Sequence, residues 1–145
     1  MMADQIMNFI EGLVEKTREK KLNWMPFPSC KEKYEIYREL ENGRANFDYS
    51  VNSIRESKSY FLKVEDGFVF LFEIYHGDPD MTSPAMDSLS LMIKINTVLP
   101  LEDVSKYSGE EQELLERLKI LIEHNLAEKY SYPDVVYEFF EKVLK

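Results

Sequence analysis

The chain has 145 residues, 44% hydrophobic and 31% charged, which is the composition of a folded protein rather than a disordered tail, and its length predicts one domain spanning 1–145. The formal net charge is −9, nearly all of it beyond residue 57; a negative field repels phosphates, so no direct nucleic-acid binding is expected and a protein partner with a basic surface is favoured. The longest apolar run, Phe68 to Phe72, is far short of the roughly 20 residues a bilayer-crossing helix needs, and no membrane association is expected.

From Ala3 to about Lys20, Ile6, Phe9, Ile10, Leu13, Val14 and Thr17 recur at helical spacing with Glu11, Glu15, Arg18 and Glu19 opposite, which predicts an amphipathic helix docked on another element. Gly12 inside it costs about 1 kcal/mol relative to Ala and hints at a close approach. The prolines of Met25-Pro26-Phe27-Pro28 predict that regular structure stops there, with Trp24 plugging the helix end.

Residues 33–52 first suggest a short helix, because Tyr34, Tyr37 and Leu40 are spaced by three. Asn42-Gly43 and the alternation of Ala45, Phe47, Tyr49 and Val51 with polar residues instead predict a hairpin. Folding about that turn sets Leu40 opposite Ala45, Ile36 opposite Tyr49 and Tyr34 opposite Val51, with Arg38 opposite Phe47 as the exception. A second hairpin is expected at Asp66-Gly67, pairing Val64 with Val69 and Leu62 with Leu71, with Gly67 at positive φ. Its outgoing strand, 68–75, is apolar on both faces until Glu73, as the covered centre of a sheet would be. Leu89, Leu91, Ile93 and Ile95 alternate with polar or flexible residues to give a fifth strand.

Beyond Pro100 the period returns to that of a helix. Ser108-Gly-Glu-Glu111 matches a capping box, and Leu114, Leu115, Leu118, Leu121 and Ile122 form one stripe to about Asn125. Pro133 suits a first helical turn, after which Val135, Val136, Phe139, Phe140, Val143 and Leu144 give an apolar face. The expected fold is therefore α+β: an N-terminal helix, a five-stranded mainly antiparallel sheet made of two hairpins plus a fifth strand, and two C-terminal helices packed on the sheet.

Candidate chemistry concentrates at His76-Gly-Asp78-Pro-Asp80, with Thr82, Ser83 and Asp87 in the same loop. One imidazole and two or three carboxylates can ligate a divalent metal or act as acid and base; a solvated turn explains the same residues. Cys30 is the only cysteine and forms no motif with His76 or His124. It therefore reads as a packed thiol, and with an N-terminus that lacks a basic, continuously apolar leader it suggests a cytoplasmic protein. His124, in the last turn of its helix, suits the dipole. Nine Tyr and nine Phe, among them Tyr34, Tyr37, Tyr49, Tyr60 and Tyr75 on expected strands, can form core or line a ligand pocket. No catalytic motif and no required cofactor is found.

At 100° per residue, Ile120 falls on the side of its helix away from the apolar stripe, among Glu113, Glu116, Arg117, Glu123 and His124. Either the C-terminal helix covers it, or it anchors a partner-binding patch formed with Glu113, Glu116 and Glu123. In general character, an acidic chain of this size with helices flanking an antiparallel sheet resembles small bacterial effector chaperones and immunity proteins, which implies a protein partner. The secretion chaperones place a helix between strands three and four, where this chain has Asp66-Gly67, and no residue motif assigns it to either family. The expected function is a non-catalytic inhibitor, immunity or adaptor protein; the alternatives are a small metal-dependent hydrolase using His76, Asp78 and Asp80, or a small-ligand-binding domain.

Overall fold

In the computed structural model the described residues are 2–41, 53–75, 87–95, 101–105, 108–129 and 133–145. The first helix, α1 (Met2–Arg18), turns Ile10, Leu13, Val14 and Thr17 inward, as its periodicity demands. It ends in a hydrogen-bonded C-cap: Lys21 N–H donates to the Lys16 carbonyl and Lys20 N–H to that of Thr17, with Lys20 at φ 62° in the left-handed region. Trp24 closes the helix end, fully packed, with its indole N–H donating to Thr17 Oγ1 at 3.0 Å.

The fold class is that expected from the sequence: an N-terminal helix, a five-stranded antiparallel sheet and two C-terminal helices. The strands are β1 (Trp24–Pro26), β2 (Tyr60–Val64), β3 (Gly67–Tyr75), β4 (Asp87–Ile95) and β5 (Glu102–Asp103), in spatial order β1-β2-β3-β4-β5. β3 is central, and Val69 to Ile74 are buried on both faces. On one face Trp24, Leu62, Val69, Leu71, Leu89 and Leu91 meet α1 and α3 (Gly109–Lys129). On the other, Phe61, Phe70, Phe72, Ile74 and Met92 meet Phe27, Cys30 and α2 (Lys33–Glu41). Phe70 and Phe72 stack at 5.3 Å between centroids, and Phe27 stands edge-on to both. Those aromatic rings are core.

One strand assignment is corrected. Residues 33–41 form helix α2 rather than the first arm of a hairpin. Its Ile36, Tyr37 and Leu40 share a helical face that caps the aromatic side of the sheet, while Tyr34 is exposed. The local pattern allowed either period, and the uncovered aromatic face decided it. The Asn42-Gly43 turn and the strand expected over 45–51 lie outside the described residues. Among the described residues the edges of the sheet are two short strands. β1 holds Pro26 where an edge tolerates a missing N–H, and β5 carries Glu102 and Asp103, charges that discourage further pairing.

The second hairpin exists, but its register is shifted by two. Leu62 pairs with Val69 and Val64 with Gly67, so the loop is Glu65-Asp66, and neither loop residue has positive φ. An even shift leaves every side chain on its expected face, which is why the apolar pattern concealed it. Gly67 belongs to β3 and lacks the expected positive φ; a Cβ there would lie 1.9 Å from the Lys94 carbonyl oxygen. Close backbone approach, not turn geometry, selects glycine.

Ser108 caps α3 as expected, its Oγ accepting from Glu111 N–H at 3.3 Å. Leu115, Leu118 and Ile122 are fully buried against the sheet and α1. The last helix, α4 (Asp134–Leu144), follows Pro133 but has no buried residue. It therefore does not pack on the sheet as expected; the two core clusters are formed with α1, α2 and α3. No helix among the described residues is long and apolar enough to cross a membrane.

Candidate functional site

The outer face of α3 is set by a buried ion pair beneath it. Glu73 interrupts the apolar run of β3 on the side that meets α3, and Lys119, beside Leu118, reaches it: Nζ lies 2.6 Å from Oε1, with both side chains almost wholly buried. Burial alone would pull the Lys119 ammonium down, but the hydrogen bond and charge of Glu73, aided by Glu123 and Glu116, outweigh it and hold its pKa above the usual lysine value. The second Glu73 oxygen, Oε2, is buried without a hydrogen-bond partner. Arg55 Nε lies 3.8 Å and Lys58 Nζ 3.9 Å from it.

This polar cluster continues to the ends of the strands. Arg55 donates to Asp87 at 3.2 Å and lies 4.6 Å above the Tyr75 ring. Residues 54–59 continue the line of β2 along β3: Ile54 bridges to Ile74, Arg55 N–H donates to the Glu73 carbonyl, and Ser59 Oγ accepts from Glu73 N–H. On the neighbouring side, the Tyr60 hydroxyl donates to Glu123 at 2.8 Å. Burial, with the acceptor Glu123, pushes the Tyr60 pKa far above the usual tyrosine value, so the hydroxyl keeps its proton. Glu73 is the one acid inside Phe68 to Tyr75 and Lys119 the one base inside Leu118 to Ile122, but only the packing of α3 on β3 shows that the two meet.

With Lys119 turned inward, the next residue turns outward. Ile120 is 58% exposed and is not covered by α4. Glu113, Glu116 and Glu123 are exposed on the same helix, and the bond from Tyr60 orients Glu123. His124 pairs with Glu128 at 3.1 Å across one turn, on the exposed side. The structure therefore brings the four expected surface residues to one solvent-facing side of α3.

His76, Asp78 and Asp80 lie outside the described residues. Asp87, expected in the same loop, is the first residue of β4 and is engaged by Arg55. Cys30 is buried, its thiol pushed up by burial and by Glu32, which suits packing and not nucleophilic attack. Among the described residues no cluster of His, Cys, Asp and Glu has the grouping to hold a metal.

A second surface feature lies between α1 and the far ends of β2, β3 and β4. Phe9, Gly12, Leu13, Val64, Ile93 and Ile95 line an apolar groove of about 520 Å3. No protein-family model, curated protein or solved structure matches this chain. The fold and the surface thus define an α+β protein with an acidic helix face and an apolar groove.

Proposed function

We propose that the chain is a non-catalytic protein-binding domain, of inhibitor, immunity or adaptor type, that engages a basic partner surface through the outer face of α3. The observation that carries this reading is the exposure of Ile120 in the middle of a helix whose opposite face is fully buried. A β-branched side chain surrounded by the carboxylates of Glu113, Glu116 and Glu123 has the form of an interface centre, an apolar anchor that excludes water within a charged rim. The rim speeds encounter with a cationic surface and the anchor slows release. Cytoplasmic location belongs to the same proposal, supported by a free, buried cysteine that suits a reducing compartment.

The test is native mass spectrometry of the chain isolated from its source, comparing the parent with Ile120→Asp and Ile120→Leu. Ile120→Asp is expected to melt with the parent yet lose the partner mass, and Ile120→Leu to keep it. An Asp variant that folds normally and retains the partner would remove this surface as the site.

A further inference from the structure

A small cavity opens where the end of α1, the start of β1 and the last turns of α3 meet. Leu22, Leu126 and Trp24 give it an apolar wall, and the exposed Lys20, Glu128 and Lys129 stand at its mouth. Its volume of about 350 Å3 lies at the lower end of the roughly 300–1,000 Å3 typical of small-molecule sites, which join an apolar lining to a few polar groups.

Lys20 is the informative residue at that mouth. Its φ of 62° is the one left-handed value among the described non-glycine residues, a conformation that strains an L side chain and leaves glycine unstrained. Its side chain crosses to Glu128, Nζ lying 2.6 Å from Oε2. Both side chains of that pair are largely exposed, and an ion pair in such a setting stabilises little. Stability therefore does not account for lysine at this position. What the side chain adds over glycine is an ammonium group at the mouth of an apolar cavity, and backbone strain of this kind concentrates where a chain holds a ligand.

Glu128 marks the chemistry that fits. Its carboxylate bridges Lys20 and His124, the latter at 3.1 Å, so a carboxylate is the group that the mouth already accommodates. A second ammonium, Lys129 Nζ, donates to Asn23 Oδ1 at 2.9 Å on the same rim. Two lysines against one glutamate make the rim cationic in a chain of net charge −9.

We propose that this cavity binds a small monocarboxylate with an apolar body. The ligand carboxylate takes the place of Glu128 on Lys20, with Lys129 as the second cation, and its body lies against Leu22, Leu126 and Trp24. Glu128, once displaced, keeps His124 as its partner. The site does not use Ile120 and does not depend on the outer face of α3.

Trp24 is the only tryptophan of the chain, so its emission reports on the cavity directly. Titration of the full chain with hexanoate, followed by Trp24 fluorescence and by two-dimensional amide NMR, is the test. Saturable binding is expected at roughly millimolar concentration or below, with amide shifts concentrated in residues 20–24 and 122–129. Hexanamide, the same body without the charge, should bind about tenfold more weakly, as befits the loss of a charge-assisted hydrogen bond. Lys20→Gly should melt above the parent yet lose affinity for hexanoate by a similar factor, and a lysine with only a structural role would not move stability and binding in opposite directions. Lys129→Met, its fold verified by circular dichroism, should also weaken binding. The proposal is overturned by the absence of a saturable response to hexanoate, by equal affinity for hexanoate and hexanamide, or by an affinity that survives either lysine substitution. Ile120→Asp should bind hexanoate as the parent does, which keeps this result separate from that for the α3 surface.

Discussion

Glu73 and Lys119 show how much one residue can depend on another. Without Lys119, the buried Glu73 carboxylate would keep only the longer contacts with Arg55 and Lys58, so Lys119→Ala should lower stability by about 3 kcal/mol in urea denaturation. Replacing both, Glu73→Leu with Lys119→Met, should recover most of that loss, since two apolar side chains remove the desolvation cost together with the attraction. At Gly67 the expectation is steric: Gly67→Ala drives a Cβ into the Lys94 carbonyl and should cost about 1–3 kcal/mol, read as a lower denaturant midpoint. Lys20 points the other way. It holds a left-handed conformation at the C-cap of α1, and Lys20→Gly should raise stability by about 0.5–1 kcal/mol, because its surface pair with Glu128 contributes little.

Among the elements, β4 shows how side chains replace a missing strand. Its neighbour β5 pairs only with Met92 and Ile93, so the backbone of Leu89 would be left without a partner. The Gln112 amide supplies one: it accepts from Leu89 N–H at 2.9 Å and donates to the Leu89 carbonyl at 2.7 Å. Ser105 Oγ does the same for Leu91 N–H at 3.3 Å. Gln112→Ala is therefore expected to cost about 1–3 kcal/mol, the penalty of burying unsatisfied backbone groups, and to raise amide exchange at Leu89 before exchange elsewhere in β4. Unchanged exchange at Leu89 would show that water replaces the amide without cost.

For the molecule as a whole, pH dependence follows from the raised groups. Lys119, Tyr60 and Tyr37 all have folded-state pKa values above their unfolded ones. A raised value means that the protonated form is favoured by folding, so this stability is fully present below the unfolded values, about 10 for tyrosine and about 10.4 for lysine, and is lost as pH rises beyond them. Thermal melting should stay level up to about pH 9.5 and fall steeply above pH 10. Tyr60→Phe should flatten part of that fall; an identical alkaline profile in the variant would disprove the contribution of Tyr60.

The sequence by itself determined the α+β class, α1, the central strand with both faces covered, β4, the cap and stripe of α3, and the outward direction of Ile120. All of these follow from local periodicity, which is fixed by the geometry of 3.6 residues per turn or two per pleat. It did not determine the state of residues 33–41, the register of the β2–β3 hairpin, the short edge strands or the position of α4. Those depend on groups distant in sequence: an aromatic sheet face that needed a helical cover, a Lys94 carbonyl that admits only glycine, and two core clusters formed with α1, α2 and α3. The Glu73–Lys119 pair belongs to the same class. Its two charges stand 46 positions apart, and only the packing of α3 on β3 brings them within a hydrogen bond.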